Sequence, residues 1–163
     1  MTFTPRTWVV GEVVTAALMN QEIRDQINSM LAAWTAYTPA WTAVTTNPVV
    51  NNGTITGRHM KVGRTCHTQI DLVTGSTTTY GSGGYSFSLP FTSASVGTRT
   101  GLAHVFLSQR YLGQFHVAAS ATTGTLFFPA SGSVSNLSQA ASNVPVTWAN
   151  GLQLRISLTY ETA

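Results

Sequence analysis

The sequence TAALMNQEIRDQINSMLAAW, from Thr15 to Trp34, determines how the rest of this chain is interpreted. Its core residues recur at alternating steps of four and three positions, which is the spacing of a coiled-coil seam. The core positions of its heptads hold Ala16, Asn20, Ile23, Ile27, Met30 and Trp34. The stretch therefore predicts a coiled-coil helix.

This helix needs a partner, because an isolated helix of about 20 residues is marginal in water unless its apolar stripe is buried. The short segment before it cannot supply a core, and the sequence after it has β character. We therefore expect copies of the same helix to associate in parallel as a homotrimer. Asn20 at a core position fits this expectation, because a buried amide can fix register and strand number. The alternative is an amphipathic helix that packs on its own β domain.

The segment that precedes the helix, residues 1–14, is interpreted as an attachment arm. It has no helical period, contains Pro5, and carries Phe3, Trp8, Val9 and Val10 on a polar background. Apolar residues on a terminal segment that cannot form a core usually dock on another surface. We expect this arm to bind other proteins of the assembly. The alternative is that it folds back on the same trimer.

The pattern changes again after residue 36, and the chain is divided into an arm (1–14), a trimerisation helix (15–36) and a β domain (37–163). Turn residues recur at short intervals in this last part, with strand-length runs between them. The clearest is Leu152 to Tyr160, in which apolar and polar residues alternate, and a hairpin is expected across Gly63. Eight or so short strands predict an antiparallel, jelly-roll-like β-sandwich. Leu102 to Leu107 is predicted to be buried on both faces except at His104.

Composition excludes several functional classes. Only 8% of the residues are charged, 43% are hydrophobic, and the net charge of +3 includes no run of Lys or Arg, which argues against nucleic-acid binding. A single cysteine, Cys66, excludes an intrachain disulfide and is expected to be a small buried residue. The sequence has no signal-peptide pattern and no run of 18 apolar residues, so membrane insertion is not expected.

Few residues are suited to catalysis or metal binding. Asp71 is isolated in the β region, and the histidines His59, His67, His104 and His116 lack the spacing of a chelating pair. We therefore expect no catalytic residue, no metal site and no cofactor. A glycan-active enzyme is the alternative, and it would depend on Asp71 together with a carboxylate from a neighbouring subunit.

Recognition of a sugar is better supported, because aromatic residues lie among Gly, Ser and Thr in likely loops. An aromatic face beside hydroxyls and amides is typical of sugar binding. The candidate receptor-binding residues are Tyr80, Tyr85 and Tyr111, with Tyr80 as the best exposed. Trp41 and Trp148 are interpreted as core residues rather than binding platforms.

Two segments resemble known proteins. The opening TWVVGEVVTAALMNQEIRDQINSM resembles the start of many small virion proteins of phages that infect actinobacteria. The segment YTPAWTAVTTNPVVNNGTITGRHMKVGRTCHTQIDLVTGSTTTYGSGGYSFSLPF is similar to a module of phage tail-fibre and minor tail proteins. Together they cover Thr7 to Phe91. His59 stands where that module usually has an aromatic residue.

The resemblance implies a non-enzymatic virion component, assembled in the host cytoplasm and located on the tail or capsid surface. It implies a homotrimer that is attached by its N-terminal region and presents a β domain outward. The aromatic residues described above add the expectation that this domain binds a host cell-surface glycan. A capsid decoration protein or head fibre that stabilises the capsid is the alternative.

Overall fold

The computed structural model describes residues 6–129 and 136–163. Its helical segment is continuous and consists of α1 (Ala16–Met19), a π-helical turn (Asn20–Arg24) and α2 (Asp25–Leu31). Thr15 is the N-cap, and its Oγ1 accepts a hydrogen bond from the Leu18 N–H at 3.3 Å. The helix ends earlier than the sequence predicted. Ala32 is already extended, so Trp34 and the remainder of the predicted 15–36 helix lie outside it.

The π-helical turn changes the arrangement of the predicted heptads. A heptad seam assumes an uninterrupted α-helix, whereas a π turn inserts one extra residue and rotates the preceding residues by about 100° relative to the following ones. Ala16 therefore does not continue the stripe formed by Ile27 and Met30. The structure contains a helix with an interrupted seam, and a coiled coil is not shown.

The remaining described chain forms ten strands. They are β1 (Thr35–Tyr37), β2 (Trp41–Ala43), β3 (Thr54–Val62), β4 (Thr65–Val73), β5 (Tyr85–Ser88), β6 (Arg99–Phe106), β7 (Arg110–Val117), β8 (Thr123–Pro129), β9 (Leu137–Gln139) and β10 (Gln153–Glu161). The predicted hairpin across Gly63 is confirmed as β3 and β4. The β region begins at Thr35 and not at residue 37.

All strand pairs are antiparallel and belong to one sheet. Its order is β1-β3-β4-β10-β6-β7-β8-β5-β2, and β9 pairs with β8. β1 and β2 form opposite edges, yet only residues 38–40 separate them. Four Cα steps span at most about 14 Å, so the sheet has to curl until its edges approach one another. The prediction of a mainly β, antiparallel fold is confirmed, while two separate sheets are not shown.

The interior of the curled sheet is the hydrophobic core. On β10 the predicted alternation is confirmed, because Leu154, Ile156, Leu158 and Tyr160 are buried and the residues between them are exposed. Trp148, which precedes this strand, packs 4.8 Å from the Tyr85 ring and 5.5 Å from the Trp41 ring, between ring centroids.

The prediction for Leu102 to Leu107 is wrong. Leu102 points outward and is 61% exposed, whereas Ala103 and Val105 are buried. A run of apolar residues can form a half-buried strand, because only the pairing of neighbouring strands decides which face is covered.

Candidate functional site

The described part of the predicted arm forms a closed turn. The carboxylate of Glu12 pairs with Arg6 and accepts the Val9 N–H at 3.3 Å, and the Glu12 N–H donates to the Val9 carbonyl at 3.1 Å. Gly11 permits this turn with φ of +83°. Val10 lies at its tip and is fully exposed.

The other predicted attachment residues divide into two groups. Trp8 and Val9 are exposed, and the guanidinium of Arg6 lies 5.5 Å from the Trp8 ring centroid. Phe3 lies outside the described residues. The turn therefore presents apolar side chains to solvent, as a docking segment would.

The helix also presents apolar side chains to solvent. Met19, Ile23, Ile27 and Met30 are each 43–49% exposed. Ala16 is exposed and Asn20 is half-buried. The β domain of the same chain therefore leaves the stripe about half exposed, whereas a helix packed on its own domain would bury it.

Trp34 follows the helix and packs against the sheet. The guanidinium carbon of Arg58 on β3 lies 5.3 Å from the Trp34 ring centroid, which is the geometry of a cation–π contact. Trp34 retains 39% of its exposure. Trp34 therefore connects the end of the helix with the β domain.

The three tyrosines predicted to bind a receptor do not form an exposed platform. Tyr85 is a correction, since it is fully buried and its hydroxyl donates to the Tyr80 carbonyl at 2.7 Å. Tyr80 and Tyr111 are half-buried and pack against the core. Side chains alternate along β5, so Tyr85 lies on the same inner face as Phe87. The Gly- and Ser-rich composition around Tyr85 does not reveal this position. Trp41 and Trp148 are core residues, as predicted.

A concave surface lies elsewhere, on the outer face of β3, β4, β10 and β6. We call it the outer groove. Its cavity volume is about 410 Å³. Its polar lining consists of Arg58, Gln69, Asp71, His104, Arg155 and Ser157.

The register of the strands brings these side chains together. Arg58 of β3, Gln69 of β4 and Ser157 of β10 lie in one row across the sheet. In the adjacent row, Arg155 of β10 has Asp71 and His104 as its neighbours on either side. Residues that are up to about a hundred positions apart in sequence thus share one surface, because antiparallel pairing places alternate side chains of four strands on the same face.

The guanidinium groups of the outer groove are held by neighbours on the sheet. Arg58 donates from Nε to Gln69 Oε1 at 2.8 Å. The Nε of Arg155 lies 3.5 Å from Asp71 Oδ1, and its Nη2 donates to Gln153 Oε1 at 3.4 Å. Both contacts of Arg155 are long for charge-assisted bonds, which are usually about 2.7–2.9 Å. Both partners of the Arg155–Asp71 pair are more than half exposed, so this pair stabilises the fold little.

A second group of polar residues is partly buried beneath β1. The Tyr37 hydroxyl lies 3.1 Å from Thr68 Oγ1, and burial raises the Tyr37 pKa. His59 packs edge-on against Tyr37 and Phe91, with centroid distances of 5.7 and 5.0 Å, and its Nδ1 is buried without a hydrogen-bond partner. Desolvation lowers the His59 pKa. Cys66 is buried, as predicted, and burial raises its pKa.

Within residues 6–129 and 136–163, no group of three or more His, Cys, Asp or Glu side chains is arranged to hold a metal ion. In the same ranges no helix is both long enough and apolar enough to cross a bilayer. Asp71 is the carboxylate among the groove residues. A two-carboxylate glycosidase would therefore need its second acid from outside the described lining.

Comparison with protein-family models, with curated proteins and with solved structures finds no match to this chain.

Proposed function

We propose that this chain is a non-enzymatic structural protein of a phage virion, a homotrimeric appendage of the tail-fibre or minor-tail type. In this role the N-terminal arm attaches to another virion protein, the helix joins three copies, and the β domain faces outward to bind the host cell surface. The single observation that supports it best is the exposed apolar stripe on a helix that leads into a β domain with its own core.

The stripe supports self-association for an energetic reason. Burial of apolar surface contributes roughly 25 cal/mol per Å², so four half-exposed apolar side chains represent a substantial unrealised stabilisation. Copies of the same helix are the simplest partners that could bury the stripe, because each copy supplies an apolar stripe of its own. In the proposed bundle, Ile23, Ile27 and Met30 form the central seam, and Met19 extends it across the π-helical turn. Ala16 precedes this seam, Asn20 flanks it beside Met19, and Trp34 follows it after the helix has ended.

The arm supports attachment to a different protein. Its closed turn holds Val9 and Val10 outward at low conformational cost, because the contacts of Glu12 fix the turn before binding. Burial of these two valines and Trp8 in a pocket of a neighbouring virion protein would complete the interface.

The β domain is suited to an outward-facing role. Its core does not include the helix, so the β domain can be carried by the helix without being built on it. We further propose that the curled sheet is flattened into two facing layers, in the manner of a jelly-roll-like sandwich. Trp148 packing on Trp41 and Tyr85 is the contact that would join the layers at one end.

The solution mass measured by light scattering tests the proposal directly. The full chain is compared with a truncated chain that begins at Thr35, the first residue of β1. A mass three times the 17.4 kDa of one chain is expected for the full chain, and a monomer for the truncated chain. A monomeric full chain over a range of concentrations would overturn the trimeric appendage.

Antibody labelling of intact particles, observed by electron microscopy, tests the location. Label at the tail is the expected result. Label distributed over the capsid would replace the tail appendage with the capsid decoration protein, in which the same trimer stabilises the shell. Absence of the protein from purified particles would overturn the virion assignment altogether.

A further inference from the structure

We propose that the outer groove binds a saccharide that carries one anionic group, either a carboxylate or a phosphate, with the anion at Arg155. This inference rests on the proposed host-surface role and names the ligand chemistry and the residues for it. It replaces the three predicted tyrosines as the binding site, because Tyr85 is buried in the core and Tyr80 and Tyr111 are half-buried against it.

Charge is the first argument. The groove lining contains two guanidinium groups, Arg58 and Arg155, and one carboxylate, Asp71, so its formal charge is +1 with histidine counted as neutral. Arginine presents five N–H donors in a planar fork that matches the geometry of carboxylate and phosphate oxygens. A single anionic group therefore neutralises the groove.

The present contacts of Arg155 are the second argument. Its two partners lie at 3.4 and 3.5 Å, so neither forms a short charge-assisted bond. Two oxygens of an incoming carboxylate or phosphate could approach to about 2.8 Å and form a bidentate pair, which is both stronger and more directional. Arg58 is different, because its Nε is already bound to Gln69 at 2.8 Å and its guanidinium carbon lies 5.3 Å from the Trp34 ring centroid.

The neutral polar groups favour a saccharide over a simple anion. Gln69, Ser157 and His104 supply donors and acceptors beside the arginines, and Asp71 supplies a further acceptor for hydroxyl groups. The exposed side chain of Leu102 adds an apolar wall on which a sugar ring can rest. A cavity of about 410 Å³ lies within the range of small-ligand sites, roughly 300–1,000 Å³.

The probes are sodium glucuronate, glycerol phosphate and glucose, each titrated against the full chain by ligand-observed NMR. At least one anionic probe is expected to bind ten times more tightly than glucose. Preference for glucuronate indicates that the natural ligand carries a carboxylate, and preference for glycerol phosphate indicates that it carries a phosphate. Anionic probes that bind no better than glucose would overturn the inference.

Two variants and a matched control locate the site. Arg155→Gln is expected to weaken binding of the anionic probe at least tenfold, whereas Arg99→Gln, which removes the same charge from a position with the opposite orientation on β6, should change it less than twofold. Equal losses in both variants would indicate general electrostatic attraction and overturn the site. Ser157→Tyr fills the groove without changing its charge and should abolish binding, and it provides the test if Arg155→Gln fails to fold.

The mass of each sample is measured by light scattering alongside the titration. A trimer that does not bind the anionic probes overturns the groove and leaves the proposed appendage intact. A monomer that binds them with the expected preference supports the groove and overturns the trimer.

Discussion

The guanidinium carbon of Arg58 lies 5.3 Å from the centre of the Trp34 ring. Trp34 belongs to the link between the helix and β1, whereas Arg58 is on β3 and lines the outer groove. The contact therefore connects the region assigned to assembly with the surface assigned to ligand binding.

A double-mutant cycle measures the strength of this contact. Trp34→Ala and Arg58→Gln are made singly and together, and the free energy of unfolding is obtained by chemical denaturation. We expect a coupling energy of about 0.5–1 kcal/mol, the range for a cation–π pair at an exposed site. The same cycle with Arg64→Gln, whose guanidinium pairs with Glu161, should give no coupling. Equal couplings in the two cycles would contradict a specific contact.

The Ile27→Asp variant tests the apolar stripe. Ile27 is 45% exposed in the single chain, so a charge there costs little in the monomer and much in a buried seam. We expect dissociation to a monomer in light scattering, with the β-type circular dichroism largely retained. Asn28→Asp places the same charge on the neighbouring exposed position and should leave the oligomer intact. An Ile27→Asp protein that stays trimeric would exclude this stripe as the interface.

Tyr160 holds the segment after β5 against the end of β10. Its buried hydroxyl donates to the Phe91 carbonyl at 2.9 Å and accepts the Phe91 N–H at 3.2 Å. Tyr160→Phe removes both bonds, so we expect the free energy of unfolding to fall by about 1–3 kcal/mol.

The matched control for this change is Tyr111→Phe. The Tyr111 hydroxyl donates to Gln109 at 3.4 Å on an exposed turn, and its removal should cost less than about 0.5 kcal/mol. Denaturation in urea provides both values. A loss no larger in Tyr160→Phe than in Tyr111→Phe would show that solvent satisfies the Phe91 backbone.

His59 makes stability depend on pH. Desolvation lowers the His59 pKa in the folded chain below the usual value near 6.5, which applies to the unfolded chain. At a pH between the folded-state and unfolded-state pKa values, the unfolded chain therefore binds the proton more strongly than the folded chain. Stability should therefore fall as the pH decreases below about 6.5, and this contribution should level off below the folded-state pKa.

The measurement is the thermal unfolding midpoint between pH 5 and 8. The His59→Gln variant should show a shallower fall with acidification than the wild-type chain, whereas His67→Gln, which changes an exposed histidine, should retain the wild-type slope. Parallel curves for His59→Gln and the wild type would refute the assignment.

Local sequence patterns predicted several elements correctly because they depend on interactions between near neighbours. The Gly63 turn, for example, pairs the two strands that flank it. The alternation on β10 is equally local, since successive side chains of a strand point to opposite faces. Each of these features can be inferred without knowing where the rest of the chain lies.

The outer groove could not be predicted in this way. Arg58, Asp71, His104 and Arg155 carry no common sequence spacing, and they meet only because β10 lies between β4 and β6. The pairing of β6 with β10 leaves Leu102 exposed, and the pairing of β5 with β2 and β8 buries Tyr85. Both outcomes reverse the roles that the local sequence favours. The early end of the helix and its π-helical turn likewise alter a heptad that appears regular in the sequence.

The sequence by itself determined the mainly β character of this chain, the helix that precedes the β region and the apolar stripe on that helix, since periodicity and turn residues act over a few positions. The tertiary structure alone decided the strand order, the curl that brings β1 and β2 to facing edges, and the composition of the outer groove. The physical reason is that these features depend on the pairing of strands far apart in sequence, and pairing is selected by burial of the whole core rather than by any single segment.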